Sequence, residues 1–294
     1  MEDYRPERRM KPAILIQTDF STTWSAVAEM KGVMKIVDPE LEIVDLTHDI
    51  KKFDPWEASL SLAATEPYWP MGTIIVSVVD PGVGTDRKAC AAKLNDGTIV
   101  ITPDNGTLTH LLHSPGVREV REIDESVNRY RGGDHSEVFH GRDLFGYTAA
   151  KLASGLITFE EVGPQYPIVE IVECEEYYSR PVFTEGFAEG FILTGVRHYG
   201  SISLNITSEA FATCGFKLGE MVRVLIRHEG KGIFAQSVRY CKAFGDVKEG
   251  EPLLYAGSSG WLCLDVNKGS FMEQYGVETG KDWIVTIRRE DSES

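Results

Sequence analysis

The run Thr73-Ile74-Ile75-Val76-Ser77-Val78-Val79 is stopped abruptly by Asp80-Pro81-Gly82, and little else in the chain narrows its fold as much. Seven residues dominated by β-branched side chains and closed by proline and glycine read as a buried strand. The residues upstream repeat a pattern around it. Ala13–Gln17 reads as a first strand and Leu41–His48 as a second. Between them Val27, Met30, Met34 and Val37 recur at spacings of three and four, the buried stripe of a helix. Asp54 before Pro55 predicts an N-cap with proline at the first helical position, and Trp56, Leu60, Ala63 and Ala64 give that helix an inner face. Strand, helix, strand, helix, strand predicts an α/β domain with a mainly parallel central sheet.

A hairpin follows, Ala89–Leu94 and Thr98–Ile101 around the turn residues Asn95-Asp96-Gly97. Leu108, Leu111 and Leu112 indicate a short helix. The polar stretch Asp124–Glu137 reads as a loop, and Val138–Asp143 opens a helix carrying Leu144, Phe145, Ala149 and Leu152. Beyond Pro181 helical periodicity fades into short alternating segments, among them Ile202–Ile206, Met221–Ile226, Trp261–Leu264 and Trp283–Ile287. Their spacing and Gly-rich turns predict a small β-barrel or sandwich. The expected domains are 1–178 and 179–294.

The formal net charge of −15 argues against a general nucleic-acid or anionic-membrane binder, which needs a basic face. Five scattered cysteines without a CxxC pair form neither a disulfide framework nor a zinc site. With a charged N-terminus and no long apolar segment, they predict a soluble, cytoplasmic protein.

In an open α/β sheet, ligands bind beyond the carboxyl ends of strands, which directs attention to Asp80 and Arg87. From Asp80–Arg87 alone, an ion pair bracing the loop and a catalytic pair are equally good readings. Asp19, Asp45, His48, Asp80 and His140 lie near strand ends or in loops, without metal-like spacing, so no metal is expected. Walker, GxGxxG, HExxH and GxSxG patterns are absent.

Three stretches taken together carry more. Thr18-Asp19-Phe20, Asp80-Pro81-Gly82-Val83-Gly84-Thr85-Asp86-Arg87 with Pro103-Asp104-Asn105-Gly106, and Phe139-His140-Gly141-Arg142-Asp143 occur in this order. So arranged, the chain resembles the S-adenosylmethionine (SAM) hydroxide adenosyltransferases, or SAM hydrolases, relatives of the fluorinase and chlorinase. The resemblance continues through Tyr199-Gly200, Asn205-Ile206, Phe244, the Ser258–Gly260 turn and Val266-Asn267-Lys268-Gly269. It implies an α/β N-terminal domain, a C-terminal β-barrel, and a homotrimer whose small-molecule adenosyl ligand lies between one subunit's N-terminal domain and a neighbour's barrel. It also implies displacement of methionine from the 5′ carbon of SAM by water, with no cofactor beyond SAM as substrate. Asp80, Arg87 and His140 match the water-activating set, and the sequence leaves open whether Asp80 or His140 is the base. By the same resemblance Asp19 binds the ribose hydroxyls and Phe53 walls the ribose. Phe244 packs on adenine, and the Val266–Gly269 backbone, with Lys268, reads its edge. Gly141, Tyr199, Ser201 and Ser259 join the binding set, while Asp45 and His48 are given a structural role.

Sulfonium chemistry suits such a set. The leaving group departs neutral and needs no general acid, so orienting a water and removing its proton remain. Arg87 can stabilise negative charge developing on that oxygen. The departures from the family bear on the substrate's tail. Trp24 stands where the family places an Asp, and Arg197 where it places a second. In the halogenases both carboxylates hold the methionine ammonium group. Ser201 replaces an Asn and Leu204 a Thr. Three readings follow: a SAM hydrolase with a divergent methionine pocket; a hydrolase of another 5′-activated adenosine, Arg197 meeting an anion and Trp24 an apolar part; or a non-catalytic adenosine- or SAM-binding protein.

Overall fold

The computed structural model describes residues 11–132 and 138–290, and the chain divides into two units, Met1–Tyr177 and Tyr178–Ser294. In the first, β1 (Ile14–Thr18), α1 (Ala26–Val37), β2 (Ile43–Thr47), α2 (Pro55–Thr65) and β3 (Ile74–Val78) alternate as the sequence predicts. The hairpin β4 (Ala89–Leu94) and β5 (Ile99–Pro103), helix α3 (Thr109–His113) and strand β6 (Val117–Glu122) complete a six-stranded sheet of order β2-β1-β3-β5-β4-β6. The pairs β1–β2, β1–β3 and β3–β5 are parallel; β4 runs antiparallel to β5 and β6.

Every residue of β1 and β3 is buried, because both faces of the sheet are covered. Ile14, Ile16, Ile74 and Val76 join Met30 and Met34 of α1 on one face; Leu15 and Ile75 join Leu62, Leu108 and Leu111 on the other. Asp54 caps α2 by accepting the Glu57 N–H, with Pro55 next, as expected.

Two local readings change. Asp124 is an N-cap rather than a loop residue: it accepts from Ser126 N and starts α4 (Glu125–Asn128). The rest of that predicted loop includes residues 133–137, outside those described. The helix after His140 begins as a π-helix, Gly141–Gly146, before α5 (Tyr147–Ala153). Gly146 fits this wide turn closely, since a Cβ there would lie 3.1 Å from the Gly141 carbonyl oxygen. Such turns cluster at functional sites.

The second unit holds β7 (Val182–Thr184), β8 (Phe187–Val196), β9 (Ser201–Thr207), α6 (Ser208–Thr213), β10 (Met221–His228), β11 (Lys231–Cys241), β12 (Pro252–Ala256), β13 (Trp261–Val266), α7 (Phe271–Tyr275) and β14 (Gly280–Arg289). Pairing of β14 with β8 closes the order β14-β10-β11-β12-β13-β9-β8 into a barrel, with β7 paired on β8 outside the ring. Closure removes the free edges an open sandwich would leave. Ile202, Leu204, Val224, Leu254, Leu264 and Val285 fill its interior.

At the end of α2, buried Glu66 faces Asp96 of the β4–β5 turn. Burial, then the hydrogen bond and charge of Asp96, push its carboxyl up to about 7 from 4.5. Asp96 accepts both the N–H and the hydroxyl of Thr98, so the shared proton stays on Glu66. The folded chain therefore holds this proton more tightly than the unfolded one. The group's contribution to stability is complete below about 4.5 and is lost as pH climbs through about 7. Glu66→Gln keeps a neutral donor, so its melting temperature should fall less than wild type between about pH 5 and about pH 8. Differential scanning fluorimetry at both values checks this; equal declines would mean that Glu66 is not the titrating group.

Candidate active site

The β1–β3 pairing places Thr18 opposite Val78, while β2 lies on the other side of β1. At this switch point the connections leave in opposite directions and open a crevice beyond the strand ends. Asp19 follows β1 directly and Asp80 follows β3 by two residues, so register alone sets two carboxylates side by side. Burial first, with the charge of Asp80 adding to it, raises the Asp19 pKa, against the pull of backbone N–H groups. One of these is Phe53 N–H, which donates to Asp19 Oδ2 at 2.9 Å. Phe53 itself has φ +63°, costly for an aromatic residue, and its ring is exposed.

Past Asp80 the chain turns back on Gly82 and Gly84. Gly84 takes φ +77°, and a Cβ on Gly82 would lie 3.2 Å from Arg87 Cγ. Thr85 Oγ1 ties the turn by donating to the Gly82 carbonyl at 2.7 Å. The Arg87 guanidinium is thereby folded onto Asp80, donating from Nε to Oδ1 at 2.9 Å and from Nη2 to Oδ2. Nη2 also donates to His140 Nδ1 at 2.8 Å. All three side chains are largely buried.

This contact fixes a protonation state. A guanidinium only donates, so His140 Nδ1 accepts, and the neutral imidazole carries its proton on Nε2. Burial, then the Arg87 charge, lowers the His140 pKa in keeping with that. Phe145 of the π-helix supports both groups, 5.4 Å beneath the guanidinium carbon and 6.4 Å from the imidazole, edge to face.

Gly141 matters for lack of a side chain: a Cβ would meet Phe20 and Phe139 at 3.3 Å and Met30 at 3.4 Å. Phe20 in turn packs on Phe139 and Trp24. The Trp24 indole N–H donates to the Phe20 carbonyl at 2.7 Å, yet the residue stays 60% exposed. The first unit thus gathers Asp19, Trp24, Phe53, Asp80, Arg87, His140 and Gly141. Phe20 and Phe145 were not singled out from the sequence. Their adjacency to Asp19 and to the Phe139–Asp143 motif was the available signal.

In the second unit, Arg197 and Tyr199 lie in the β8–β9 turn and Ser201 opens β9. Ser201 donates to Asp265 of β13, whose Oδ1 accepts from Val266 N at 2.8 Å. Burial raises the Asp265 pKa. Val266 and Lys268 follow at the same end of β13, and Lys268 pairs with Glu249 at 2.9 Å. Phe244 packs on Tyr255 of β12 at 5.0 Å. Ser259 lies in the β12–β13 turn, at the other end of β13 from Val266, so the barrel does not bring Ser259 to Ser201. Tyr255 and Asp265 escaped the sequence reading, although a carboxylate inside the apolar Trp261–Val266 strand is a visible anomaly. Among the described residues no three His, Cys, Asp or Glu side chains are placed to hold a metal, and no helix is long and apolar enough to cross a membrane.

A carboxylate, a guanidinium and a neutral imidazole at a switch-point crevice are the equipment of an enzyme that handles a proton. Comparison with known proteins places it. Residues 14–163 match the family model for the SAM hydroxide adenosyltransferase N-terminal domain, and 196–284 that for its C-terminal domain. A Thermus thermophilus protein named (R)-S-adenosyl-L-methionine hydrolase is 34% identical over 92% of this chain and 98% of its own. One of the same name from Salinispora tropica is 33% identical over 94% of this chain and 98% of its own. The crystal structure of an uncharacterized conserved protein from Thermotoga maritima superposes with a TM-score of 0.80 at 33% identity, covering 94% of this chain and all of that one. The chain belongs to the SAM hydroxide adenosyltransferase family, a family of enzymes.

The Asp80–Arg87 pair is buried enough that breaking it should be felt in the fold. Arg87→Met leaves Asp80 without its cation and is expected to cost about 3–5 kcal/mol of stability. Urea denaturation measures it; a loss under about 1 kcal/mol would show a pair as solvated as a surface one.

Proposed function

We propose that the protein hydrolyses S-adenosyl-L-methionine, water attacking C5′ of the ribose to give adenosine and L-methionine. The observation that carries this reading is the fork of Arg87 between Asp80 and His140. A protein that only binds adenosine has no use for it. The relatives' names point to the same substrate.

The same geometry divides the labour. With Nδ1 engaged by Arg87 and the proton on Nε2, His140 is a donor and not the base. Asp80 takes the proton: each oxygen holds one Arg87 hydrogen and keeps a second lone pair. Arg87 favours the hydroxide-like form of the attacking water. Asp19 accepts the ribose hydroxyls and Phe53 walls the sugar. In the barrel, Phe244 stacks on adenine while Ser201, Val266 and Lys268 border it, with Tyr199 and Arg197 toward the tail; Ser259, at the other end of β13, is left out of this set. The thioether leaves neutral, so the reaction draws on no metal or cofactor. The exposed aromatic side chains of Trp24, Phe53, Tyr199 and Phe244 are surfaces a neighbouring subunit would cover. A homotrimer with interfacial sites accounts for them. The five cysteines are unpaired, which fits the reducing cytoplasm.

Exposed Trp24 favours a second reading. It offers an apolar wall where a methionine ammonium group would be served by a carboxylate. A hydrolase of another 5′-activated adenosine has no need of that carboxylate.

One assay separates the readings. Wild type incubated with each sulfonium epimer of SAM should release adenosine and methionine in equal amounts, and Asp80→Asn should lower kcat by about 10²–10⁴. Adenosine from other 5′-substituted adenosines alone would favour the second reading, and tight binding without turnover would leave a binding protein. Sedimentation equilibrium at three times the chain mass is the expected assembly; a monomer or dimer would overturn the trimer.

A further inference from the structure

A second chain of polar groups runs behind the crevice and touches none of the reacting atoms. Lys31 on α1 donates to Asp45 Oδ2 at 2.6 Å, and Asp45 Oδ1 lies 2.9 Å from His48 Nε2. His48 Nδ1 lies 2.9 Å from Thr18 Oγ1, and Thr18 Oγ1 accepts the Phe20 N–H at 3.1 Å. The His48 carbonyl accepts the Ser21 N–H at 2.8 Å, on the far side of the same loop. His48 and Thr18 are buried; Lys31 and Asp45 are partly exposed.

The polarity that gives each atom a partner runs in one direction. The Thr18 hydroxyl donates to Nδ1, and Nε2–H donates to the Asp45 carboxylate. Partial burial works against it, but the hydrogen bonds from Lys31 and His48 hold the Asp45 carboxyl below its ordinary value. The arrangement copies the spacing of a carboxylate–imidazole–hydroxyl triad, yet Thr18 has no exposure through which it could attack a substrate. The chain ends instead on the loop 18–21. Ser21 there takes φ +61°, a conformation a serine does not hold unaided.

We infer that His48 is a positioning residue for Asp19: it grips the 18–21 loop at both ends, by Nδ1 at Thr18 and by its carbonyl at Ser21, and so aims the carboxylate between them. The inference deepens the proposed function and rests on it. Asp19 would hold the ribose alike in ground and transition states, so a loosened grip weakens binding and leaves the chemical step alone.

Thr18→Val keeps the side chain's shape and removes the hydroxyl. It should raise KM for SAM about tenfold, the cost of one unmade buried hydrogen bond, with kcat changed less than about threefold. Thr18→Ser, which restores the hydroxyl, should return KM to within about twofold of wild type. A merely structural Thr18 would lower the melting temperature and the active fraction, hence kcat, at unchanged KM. That result, or unchanged KM and kcat, overturns the inference. Asp45→Asn, at the solvated end of the chain, should raise KM in smaller degree, and it decides the matter if Thr18→Val does not fold. Adenosine affinity by titration calorimetry separates this inference from the proposed activity. If wild type binds adenosine but does not turn over SAM, the activity falls alone, and positioning then stands or falls on whether Thr18→Val weakens adenosine about tenfold. A wild type that binds no adenosine and releases none from SAM overturns both.

Discussion

A guanidinium has donors and no acceptor, and the site takes its form from that asymmetry. Arg87 holds both oxygens of Asp80 and one nitrogen of His140 at once. Any group it touches must present a lone pair, so both Asp80 oxygens accept and the imidazole stays bare at Nδ1. A lysine in its place would offer a charge without the planar fork that reaches two partners in fixed directions. The Gly82–Thr85 turn bends the chain back to serve this reach, and Phe145 lies beneath the guanidinium and beside the imidazole. The π-helix places His140 at its mouth and Phe145 within it. The wider turn therefore carries two of the contacts on which the arginine depends.

The crevice follows from strand order. Because β1 has β2 on one side and β3 on the other, the chain leaves β1 and β3 in different directions, which opens a crevice beyond their carboxyl ends. Register then brings Asp19 and Asp80 together, and burial, with the Asp80 charge adding to it, raises the Asp19 pKa. Strain at Phe53 and Ser21 flanks the same carboxylate. Backbone held in an unfavourable conformation on both sides of one functional group is stored preorganisation: the loop has little freedom left to lose when a ligand binds.

How much of this could be read from residues alone varied with the physics involved. Strands β1 and β3 were legible because burial on both faces produces continuous apolar runs, and α2 because Asp54-Pro55 is a local start signal. Strand β6, Val117–Glu122, escaped because its charged partly exposed residues break the apolar run. The pairing of Asp80 with Arg87 was visible in the turn between them. Its extension to His140, fifty-three residues on, needed the resemblance, since nothing local links an imidazole to a distant guanidinium. Asp45 and His48 were assigned to structure for the same reason. Their hydrogen bonds to Thr18 and Lys31 cross from β2 to β1 and α1, contacts with no periodicity to betray them.

In the proposed reaction the charges carry one more consequence. Water attacking a sulfonium-bearing carbon would leave positive charge on its oxygen, and a guanidinium beside that oxygen opposes this outcome. Arg87 is therefore a liability unless the proton departs as the bond forms, and Asp80, already held by the same guanidinium, is the group placed to take it. The two residues are useful only together: the arginine makes neutral water a poor nucleophile in the site, and the carboxylate makes the hydroxide-like one available. Halide attack has no proton to shed and gains nothing from the pair. In the proposed reaction, then, the Asp80–Arg87–His140 set is what would select the nucleophile, and selection of the leaving group would fall to residues outside it, with exposed Trp24 the first candidate.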